Sequence, residues 1–455
     1  MNSVFWFTRD LRLNDNPALN QAILDSRQGK VFACYCLDRD WFESLSAIRA
    51  NSLVASLQSL KLALGGALNI VWADESNNIA AVVANFAKAN AATKVYASKS
   101  FVPAFAAVQA SLSSLIELIL VGSDYAVDPG NVKKPADGLN YRVYTPFYRA
   151  WLQVGWPQPV HFAGNSSSFA FSNLGESWPE LDATSTVAIK AGEDFALRTL
   201  DRFMRTRADH YDENRNRADI GGTSHLSHAL AHGEIHPRTI LSRLSDSKGH
   251  EVFRKEIAWR EFYADVLHNY PNTETEYYNE RFAQMRYDTG PKAEAKLLAW
   301  QEGKTGYPMV DAGMRQLNTT GWMHNRVRMI VASFLVKDLH IEWIHGAKYF
   351  ESKLTDFDPA SNAHGWQWTA GCGTDASPYY RIFNPIGQGL KFDPNGDYVR
   401  KYVPELAHLG GAAVHEPWLE IDGYQNGYVG QIVDHAAERA ESLARLEEIK
   451  IDIAD

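Results

Sequence analysis

Residues 366–385, WQWTAGCGTDASPYYRIFNP, have the types and spacing that are most readily connected with chemistry. Trp366 and Trp368 are two positions apart, so on a helix their side chains point to nearly opposite sides of the axis. One indole can then face a buried cofactor while the other lines an open pocket. We interpret this pattern as a site for light-driven redox chemistry. A capped core helix is the alternative, because tryptophan is mostly buried.

Two acids lie just before this segment. Asp356 and Asp358 precede a predicted helix start at Pro359, and Asn362 falls four residues before Trp366, on the same face. As plain helix caps the acids would also make physical sense. The spacing therefore predicts a helix that begins near Pro359 and presents an amide and an indole together.

A glycine pair followed by hydroxyl residues, GGTSHLS at 221–227, has the composition of a phosphate-binding turn. The glycines allow a tight turn, while Thr223, Ser224 and Ser227 supply hydroxyl and N–H groups at a helix start, which favours a pyrophosphate. An ordinary Ser/Thr helix cap is the alternative. By contrast, GKTG at 303–306 lacks the earlier glycine of a P-loop and follows a helical stretch, so we exclude an NTPase.

Two further stretches place charged and aromatic residues on one face of a predicted helix. In KEIAWREFY, three- and four-residue spacing aligns Glu256, Trp259, Arg260 and Tyr263. In GWMHNRVRMIVASFL, the same spacing aligns Trp322, Asn325, Arg328 and Met329. Buried, the charges of the first face would need partners, so we interpret it as a pocket wall. The alternative is an amphipathic surface helix with a Glu–Arg salt bridge.

The chain has 455 residues, is 45% hydrophobic and carries a formal net charge of −9. This charge argues against indiscriminate nucleic-acid binding, because phosphate contacts need clustered Lys and Arg. Any such face must be local. The candidate cations are Arg215, Arg326, Arg328, Arg381, Lys391, Arg400 and Lys401. Ordinary surface ion pairs are the better interpretation of any single one.

The beginning of the chain and its cysteines bear on its location. MNSVFWFTRDLRL has only a short apolar run before its first charges, so it predicts a buried strand, no membrane span and a cytoplasmic location. Cys34, Cys36 and Cys372 are too few for a disulfide framework and lack zinc-site spacing. We expect packed thiols and no metal.

Apolar periodicity predicts an α/β N-terminal domain with a parallel, Rossmann-like sheet and an all-α C-terminal domain. At 1–128, the apolar runs VFWF, VFACYCL, NIVWA, KVYAS and LILVG alternate with helical stretches. Residues 129–186 predict a connector of low periodicity, broken by the apolar piece YRVYTPFYRAWL. At 187–455, apolar residues recur at three and four, which is typical of helices.

Several blocks of this sequence resemble the DNA photolyase and cryptochrome family, specifically the class I cyclobutane pyrimidine dimer photolyases. They are GGTSHLS at 221–227, WREFY at 259–263, WQEGKTGYPMVDAGMRQLNTTGWMHNRVRMIVASFLVKDL at 300–339, and the block at 356–385. Together they are highly specific, whereas any one would be weak. The resemblance implies an antenna domain, an FAD-binding catalytic domain, and light-driven dimer repair in DNA. In that reaction excited, reduced FAD gives an electron to a flipped-out dimer.

By the same resemblance, a set of polar residues binds FAD, with Asn362 beside flavin N5. The set is Tyr211, Thr223, Ser224, His225, Leu226, Ser227, Arg260, Arg328, Asp356, Asp358 and Asn362. Arg328 is expected to pair with Asp356 near the flavin ring. An amide at Asn362 favours repair, since plant cryptochromes carry an acid there.

The resemblance also implies which residues bind the lesion and DNA: Arg215, Glu256, Trp259, Asn325, Arg326, Met329, Trp368, Arg381 and Lys391. Catalysis is assigned to Glu256, Asn325, Met329 and Asn362. Trp259 and Trp368 would sandwich the dimer. Photolyases that act on the (6-4) photoproduct have histidines at the positions of Asn325 and Met329, so the cyclobutane dimer is favoured as substrate.

Flavin photoreduction in this family uses three tryptophans from cofactor to surface. Trp366 and Trp343 match the proximal and middle members, and Tyr287 stands near the place of the third. Either Tyr287 or another aromatic residue ends this path. Family members that bind an antenna folate have an Asn-Glu pair where this chain has Pro103 and Ala104, so folate is doubtful, and a deazaflavin, a flavin or an empty site stay open.

The preferred hypothesis is a monomeric repair enzyme whose partner is dimer-containing DNA. The chain ends soon after the family core, and we expect no long disordered signalling tail. A cryptochrome-like blue-light photoreceptor is the alternative. A helical flavoprotein with neither role is a third possibility.

Overall fold

The computed structural model describes residues 1–76, 78–175, 177–182, 187, 189–375 and 380–451. Residues 176 and 183–186 of the predicted connector, and 376–379 of the tryptophan segment, lie outside the described residues. Contacts divide the chain into two compact units. The first unit is Met1–Asp209 with Ser224–Pro271, and the second is His210–Thr223 with Asn272–Asp455. The predicted domain limits at 128 and 186 stay a prediction.

Five strands and a series of helices make up the described residues. The strands are β1 Asn2–Phe7, β2 Val31–Asp38, β3 Leu68–Ala73, β4 Ala92–Lys99 and β5 Glu117–Ser123. The helices are α1 Pro17–Asp25, α2 Arg39–Glu43, α3 Ala47–Ala63, α4 Ile79–Ala89, α5 Pro103–Ser113, α6 Tyr144–Val154, α7 Glu193–Thr206, α8 Tyr211–Asn214, α9 Ser227–Ala231, α10 Pro237–Leu241, α11 Lys248–Asn269, α12 Pro291–Glu302, α13 Pro308–Thr320, α14 Asn325–Lys337, α15 Trp343–Lys353, α16 Pro359–Ala370, α17 Pro385–Phe392, α18 Asp397–Tyr402 and α19 His435–Ile451. No described helix combines the length and the apolar composition needed to cross a lipid bilayer.

The first unit contains a parallel sheet in the order β3-β2-β1-β4-β5, which confirms the predicted Rossmann-like α/β class. All five predicted apolar runs fall in its strands. Side chains alternate along β1, so Phe5 and Phe7 join the core under α1 and α3, while Val4 and Trp6 join the core under α4. Both faces of the sheet are therefore covered, as a parallel sheet requires.

Helix α11, which carries three predicted site residues, is fixed in the first unit by a buried carboxylate. Glu261 accepts hydrogen bonds from the backbone N–H groups of Ala126 at 2.5 Å and Val127 at 3.1 Å, and from Trp151 Nε1 at 2.6 Å. Burial raises the pKa of this carboxyl to about 7. Trp151 belongs to α6, which forms most of the apolar piece within the predicted connector.

The second unit is helical, as predicted, and its core lies around α12 to α16. Trp300, Val331, Trp343, Phe350 and Trp366 are all buried in this core. Proline at the first turn starts α12, α13, α16 and α17, where its fixed φ suits a helix and its missing N–H has no cost. The residues of α14 and α16 that face away from this core are the candidates for ligand contact.

Candidate functional site

A partly buried ion pair joins α14 to the residues that precede α16. Arg328 Nη2 donates to Asp356 Oδ2 at 2.7 Å, and Arg328 Nε donates to the Met323 carbonyl at 2.8 Å. This is the pair that the family resemblance implies. Asp356 Oδ1 is buried and accepts no hydrogen bond from the described residues. Because an unsatisfied buried carboxylate oxygen is costly, this atom fits a ligand that presents an N–H group, as a flavin ring does.

Helix α16 begins at Pro359, as the sequence predicts. Asp358 caps it, since Oδ1 accepts from the Ser361 N–H at 2.8 Å. The Asn362 amide donates from Nδ2 to the Ala347 carbonyl at 3.1 Å, which orients the amide and leaves Oδ1 to accept from a ligand. Asp358 is therefore a helix cap, as its simpler interpretation predicts. One turn later, Asn362 presents an amide whose orientation is fixed.

The two tryptophans of α16 differ in burial as their spacing predicts. Trp366 is 3% exposed and packs on Phe350, with ring centroids 5.0 Å apart. Trp368 is half-buried and lines a cavity of about 160 Å³. Of the predicted site residues, only Trp368 and Arg381 are among the described residues that line this cavity, so it does not correspond to the predicted lesion pocket.

Helix α14 begins at Asn325, where His324 caps it by accepting from the Arg326 N–H at 3.1 Å. Asn325 is exposed and Met329 is half-buried, so both are accessible to a ligand. The prediction that Trp322 extends this face was wrong. Gly321 ends α13 in the left-handed conformation, with φ of 66°, and Trp322 lies in the turn before α14.

Residues 221–223 of the candidate phosphate-binding turn belong to the second unit. In the second unit, a Cβ on Gly222 would lie 2.7 Å from the Asn214 carbonyl oxygen, so close backbone approach requires glycine there. In the same unit, Tyr211 is buried at the start of α8, with the Arg215 guanidinium carbon 5.9 Å from its ring centroid. Thr223 is half-buried.

In the first unit, the turn continues into a helix of only five residues. Ser224 Oγ accepts from the Leu226 N–H at 3.3 Å, and α9 starts at Ser227 without a side-chain cap. The residue with positive φ is His225, at 55°, and not either glycine. The left-handed residue of this turn is therefore one that the sequence did not indicate.

On α11, the predicted lesion-stacking residue is held by a contact that the sequence did not indicate. The Trp259 ring stacks on Tyr144 of α6 with centroids 3.7 Å apart and planes inclined by 7°. Because Tyr144 covers one face of the indole, a base can stack only on the opposite face. Glu256, one turn before Trp259, is half-buried.

Arg260, predicted to contact the flavin, donates to backbone carbonyls in the first unit. Its Nη1 lies 3.0 Å from the Asp124 oxygen and its Nη2 lies 3.4 Å from the Leu230 oxygen. The guanidinium also lies over the Tyr125 ring, 4.8 Å from its centroid. Burial raises the pKa of the Asp124 carboxyl to about 6. The cofactor role of Arg260 stays a prediction.

The candidate DNA-binding cations differ in the partners of their side chains. Arg328 pairs with Asp356, and Arg400 Nη2 pairs with Asp397 at 2.7 Å, so the ion-pair interpretation holds for these two. Arg326 donates twice to Asn216 Oδ1, at 3.1 and 2.8 Å. The exposed cations Arg381 and Lys391 form no ion pair with a described residue.

Trp366 and Trp343, two members of the predicted electron path, lie on the neighbouring helices α16 and α15 of the second unit, and Tyr287 lies in a loop. Trp343 is buried at the start of α15, and one turn later Gly346 touches Trp366 so closely that an added Cβ would lie 2.1 Å from its Cη2. Beyond Trp343, the aromatic contact is with Tyr277, whose ring centroid lies 6.1 Å away. The sequence leaves the last member of the path open between Tyr287 and another aromatic residue, and its identity stays a prediction.

The chain combines an α/β unit, which contains a parallel sheet, with a helical unit whose polar side chains fit a flavin ring. These two features define the class of two-part flavin-binding proteins. Residues 3–162 match the family model described as DNA photolyase, and residues 253–448 match the FAD binding domain of DNA photolyase. A deoxyribodipyrimidine photo-lyase from Escherichia coli K12 is 37% identical, covering 97% of this chain and 98% of its own. This chain belongs to the DNA photolyase family.

Two solved structures are similar along nearly the whole chain. The class III photolyase from Agrobacterium tumefaciens is 35% identical with a TM-score of 0.87, covering 99% of this chain and 98% of its own. A Synechocystis cryptochrome is 27% identical with a TM-score of 0.85, covering 98% of this chain and 99% of its own. The fold is therefore shared by repair enzymes and cryptochromes, and it does not by itself choose between them.

Proposed function

We propose that this chain is a lyase that uses light and FAD to repair cyclobutane pyrimidine dimers in DNA. The observation that carries the proposal is the buried Asp356 carboxylate, with one oxygen held by Arg328 and the other left for an N–H donor. It occurs in a chain related over nearly its full length to deoxyribodipyrimidine photo-lyases.

FAD, when bound, supplies the light-excited electron donor. Asp356, Arg328 and Asn362 hold and orient its ring, since they present one acceptor, one cation and one fixed amide. The phosphates are held by the turn that contains the other predicted cofactor residues, which are Tyr211, Thr223, Ser224, His225, Leu226 and Ser227. Asp358 contributes chiefly by capping α16 and so by fixing Asn362.

The protein also binds the extruded dimer. Trp259 stacks on a flipped base with the indole face that Tyr144 leaves open, and base–aromatic stacking contributes about 1–3 kcal/mol per base. Glu256 accepts hydrogen bonds from base N–H groups, while Asn325 and Met329 contact the dimer from α14, and Trp368 from α16. Extrusion is cheaper for a damaged, poorly stacked dimer than for a normal pair, which favours the lesion.

Arg381 and Lys391, together with Arg215 and Arg326, contact the DNA phosphates. Because the net charge is −9, this contact is confined to one face, and affinity for DNA should fall with rising salt in proportion to the few phosphates neutralised. We further propose that the chain acts as a monomer in the cytoplasm, with domain limits at 128 and 186. Support for the location is that no disulfide joins its cysteines, consistent with a reducing compartment.

The test is repair of a defined lesion. Purified protein with chemically reduced FAD is illuminated with an oligonucleotide that carries one thymine dimer, and restored thymines are measured against a dark sample. Light-dependent restoration supports repair. Bound FAD with no restoration would instead support the photoreceptor alternative, and absence of any preference for the damaged strand would support a flavoprotein with neither role.

A further inference from the structure

Tyr277 contacts the buried Trp343 ring and has a base in contact with its hydroxyl. Its ring is 6.1 Å from that of Trp343, with planes inclined by 79°. Its hydroxyl donates to Glu342 Oε1 at 2.7 Å. Tyr277 and Glu342 are both half-buried, so this pair lies between the buried indole and solvent.

The Glu342 carboxylate is committed to this contact. Glu342 occupies the N-cap position of α15, where an acidic side chain would ordinarily accept from the helix N–H groups. Here the side chain makes no capping hydrogen bond and instead accepts from Tyr277. Glu342, which directly precedes Trp343 in the sequence, is therefore placed to accept a proton from Tyr277, whose ring contacts Trp343.

Trp343 and Tyr277 differ in whether they can lose a proton. The indole Nε1 of Trp343 is buried and has no hydrogen-bond partner among the described residues, so oxidised Trp343 has no adjacent base. Burial raises the pKa of the Tyr277 phenol, which is therefore protonated at neutral pH, and its oxidation must move a proton. The hydrogen-bonded carboxylate provides the acceptor.

We propose that Tyr277 is the terminal electron donor of this chain and that Glu342 accepts its proton. One electron passes from Tyr277 to the Trp343 cation radical, the phenolic O–H bond breaks, and an O–H bond forms on Glu342 Oε1. The products are neutral Trp343, a neutral tyrosyl radical and a protonated carboxyl, so charge is conserved. This inference rests on the proposed function, because light-driven flavin reduction supplies the oxidising equivalent through Trp366.

Tyr287 is the residue expected from the sequence, whereas the ring in contact with Trp343 is that of Tyr277. Replacing each hydroxyl in turn therefore separates the two residues. Tyr349 provides a matched control, since its hydroxyl donates to Asn318 Oδ1 at 2.6 Å and has no carboxylate acceptor.

The test uses the full chain with oxidised FAD and follows radicals by transient absorption after a light flash. We expect a neutral tyrosyl radical in the unmodified protein, in Tyr287→Phe and in Tyr349→Phe, and its loss in Tyr277→Phe, where a tryptophan radical should persist instead. Glu342→Gln should slow tyrosyl formation by about 100-fold, the lower end of what a positioned base contributes. Deuterated water should slow the step in the unmodified protein.

A tyrosyl radical that survives in Tyr277→Phe, or that disappears in Tyr287→Phe, would overturn the assignment of the donor. An unchanged rate in Glu342→Gln would overturn the assignment of the acceptor. Each variant is required to retain FAD and its far-ultraviolet circular dichroism. Dimer repair by chemically reduced, unmodified protein is measured separately, so failure of the proposed function is distinguished from absence of the radical.

Discussion

Gly346→Ala should destabilise the protein although alanine favours helices. In the interior of a helix such as α15, this change ordinarily stabilises by about 0.5–1 kcal/mol. Here the new Cβ would lie 2.1 Å from Trp366 Cη2 and 2.6 Å from Cζ2 and Cζ3. The ring is enclosed by Phe350 and Trp300, so it cannot move aside freely. Overpacking of this kind costs about 1–3 kcal/mol, and after the helix gain is subtracted the net loss is up to about 2.5 kcal/mol.

The matched control is Gly387→Ala in α17, where the nearest atoms to an added Cβ are 3.8 Å away, at ordinary contact distance. Urea unfolding of the two FAD-bound variants, followed by circular dichroism, gives both free energies of unfolding. We expect Gly387→Ala to match or slightly exceed the unmodified protein and Gly346→Ala to fall below it. Equal stability of the two variants would refute the proposed contact between Gly346 and the Trp366 ring.

Three further predictions concern ligand binding and pH. Trp259→Ala should weaken dark binding of dimer-bearing oligonucleotide by about 1–3 kcal/mol in a titration, with undamaged DNA little affected; equal weakening of both would exclude stacking on the lesion. Asp356→Asn should lower FAD content and reduce the free energy of unfolding by about 2–3 kcal/mol. This loss is smaller than that for breaking a fully buried ion pair, because the Arg328 side chain is 23% exposed. Full FAD occupancy at unchanged stability would contradict this prediction. Burial lowers the pKa of Lys337 to about 7, so the folded state binds fewer protons than the unfolded state, and stability should rise from about pH 7 to about pH 10. Lys337→Met should remove that rise, and an identical pH profile in urea unfolding would show that this amine is not buried.

Local patterns predicted the elements well. Alternation of apolar runs located all five strands, because a strand buried on both faces is continuously apolar. The Asp-Pro signal located the start of α16 at Pro359. Local spacing failed at Trp322, because periodicity cannot show that the preceding glycine adopts φ of 66° and ends a helix.

Contacts between distant residues could not be derived from spacing. Tyr144 covers one face of Trp259 from another helix, and Tyr277 reaches Glu342 from a loop 65 residues away. Neither tyrosine stands in a periodic pattern with its partner, so only the folded chain shows the pair. The Arg328–Asp356 ion pair was predicted through family resemblance and not from the residues themselves.

The wavelength dependence of dimer loss tests whether the bound FAD drives repair. Chemically reduced, FAD-bound protein is illuminated at a series of wavelengths with an oligonucleotide carrying one thymine dimer, and restored thymines are counted per photon. We expect restoration to follow the absorbance of the bound cofactors and to be absent in the dark. Restoration in the dark, or undiminished restoration by protein stripped of FAD, would contradict it.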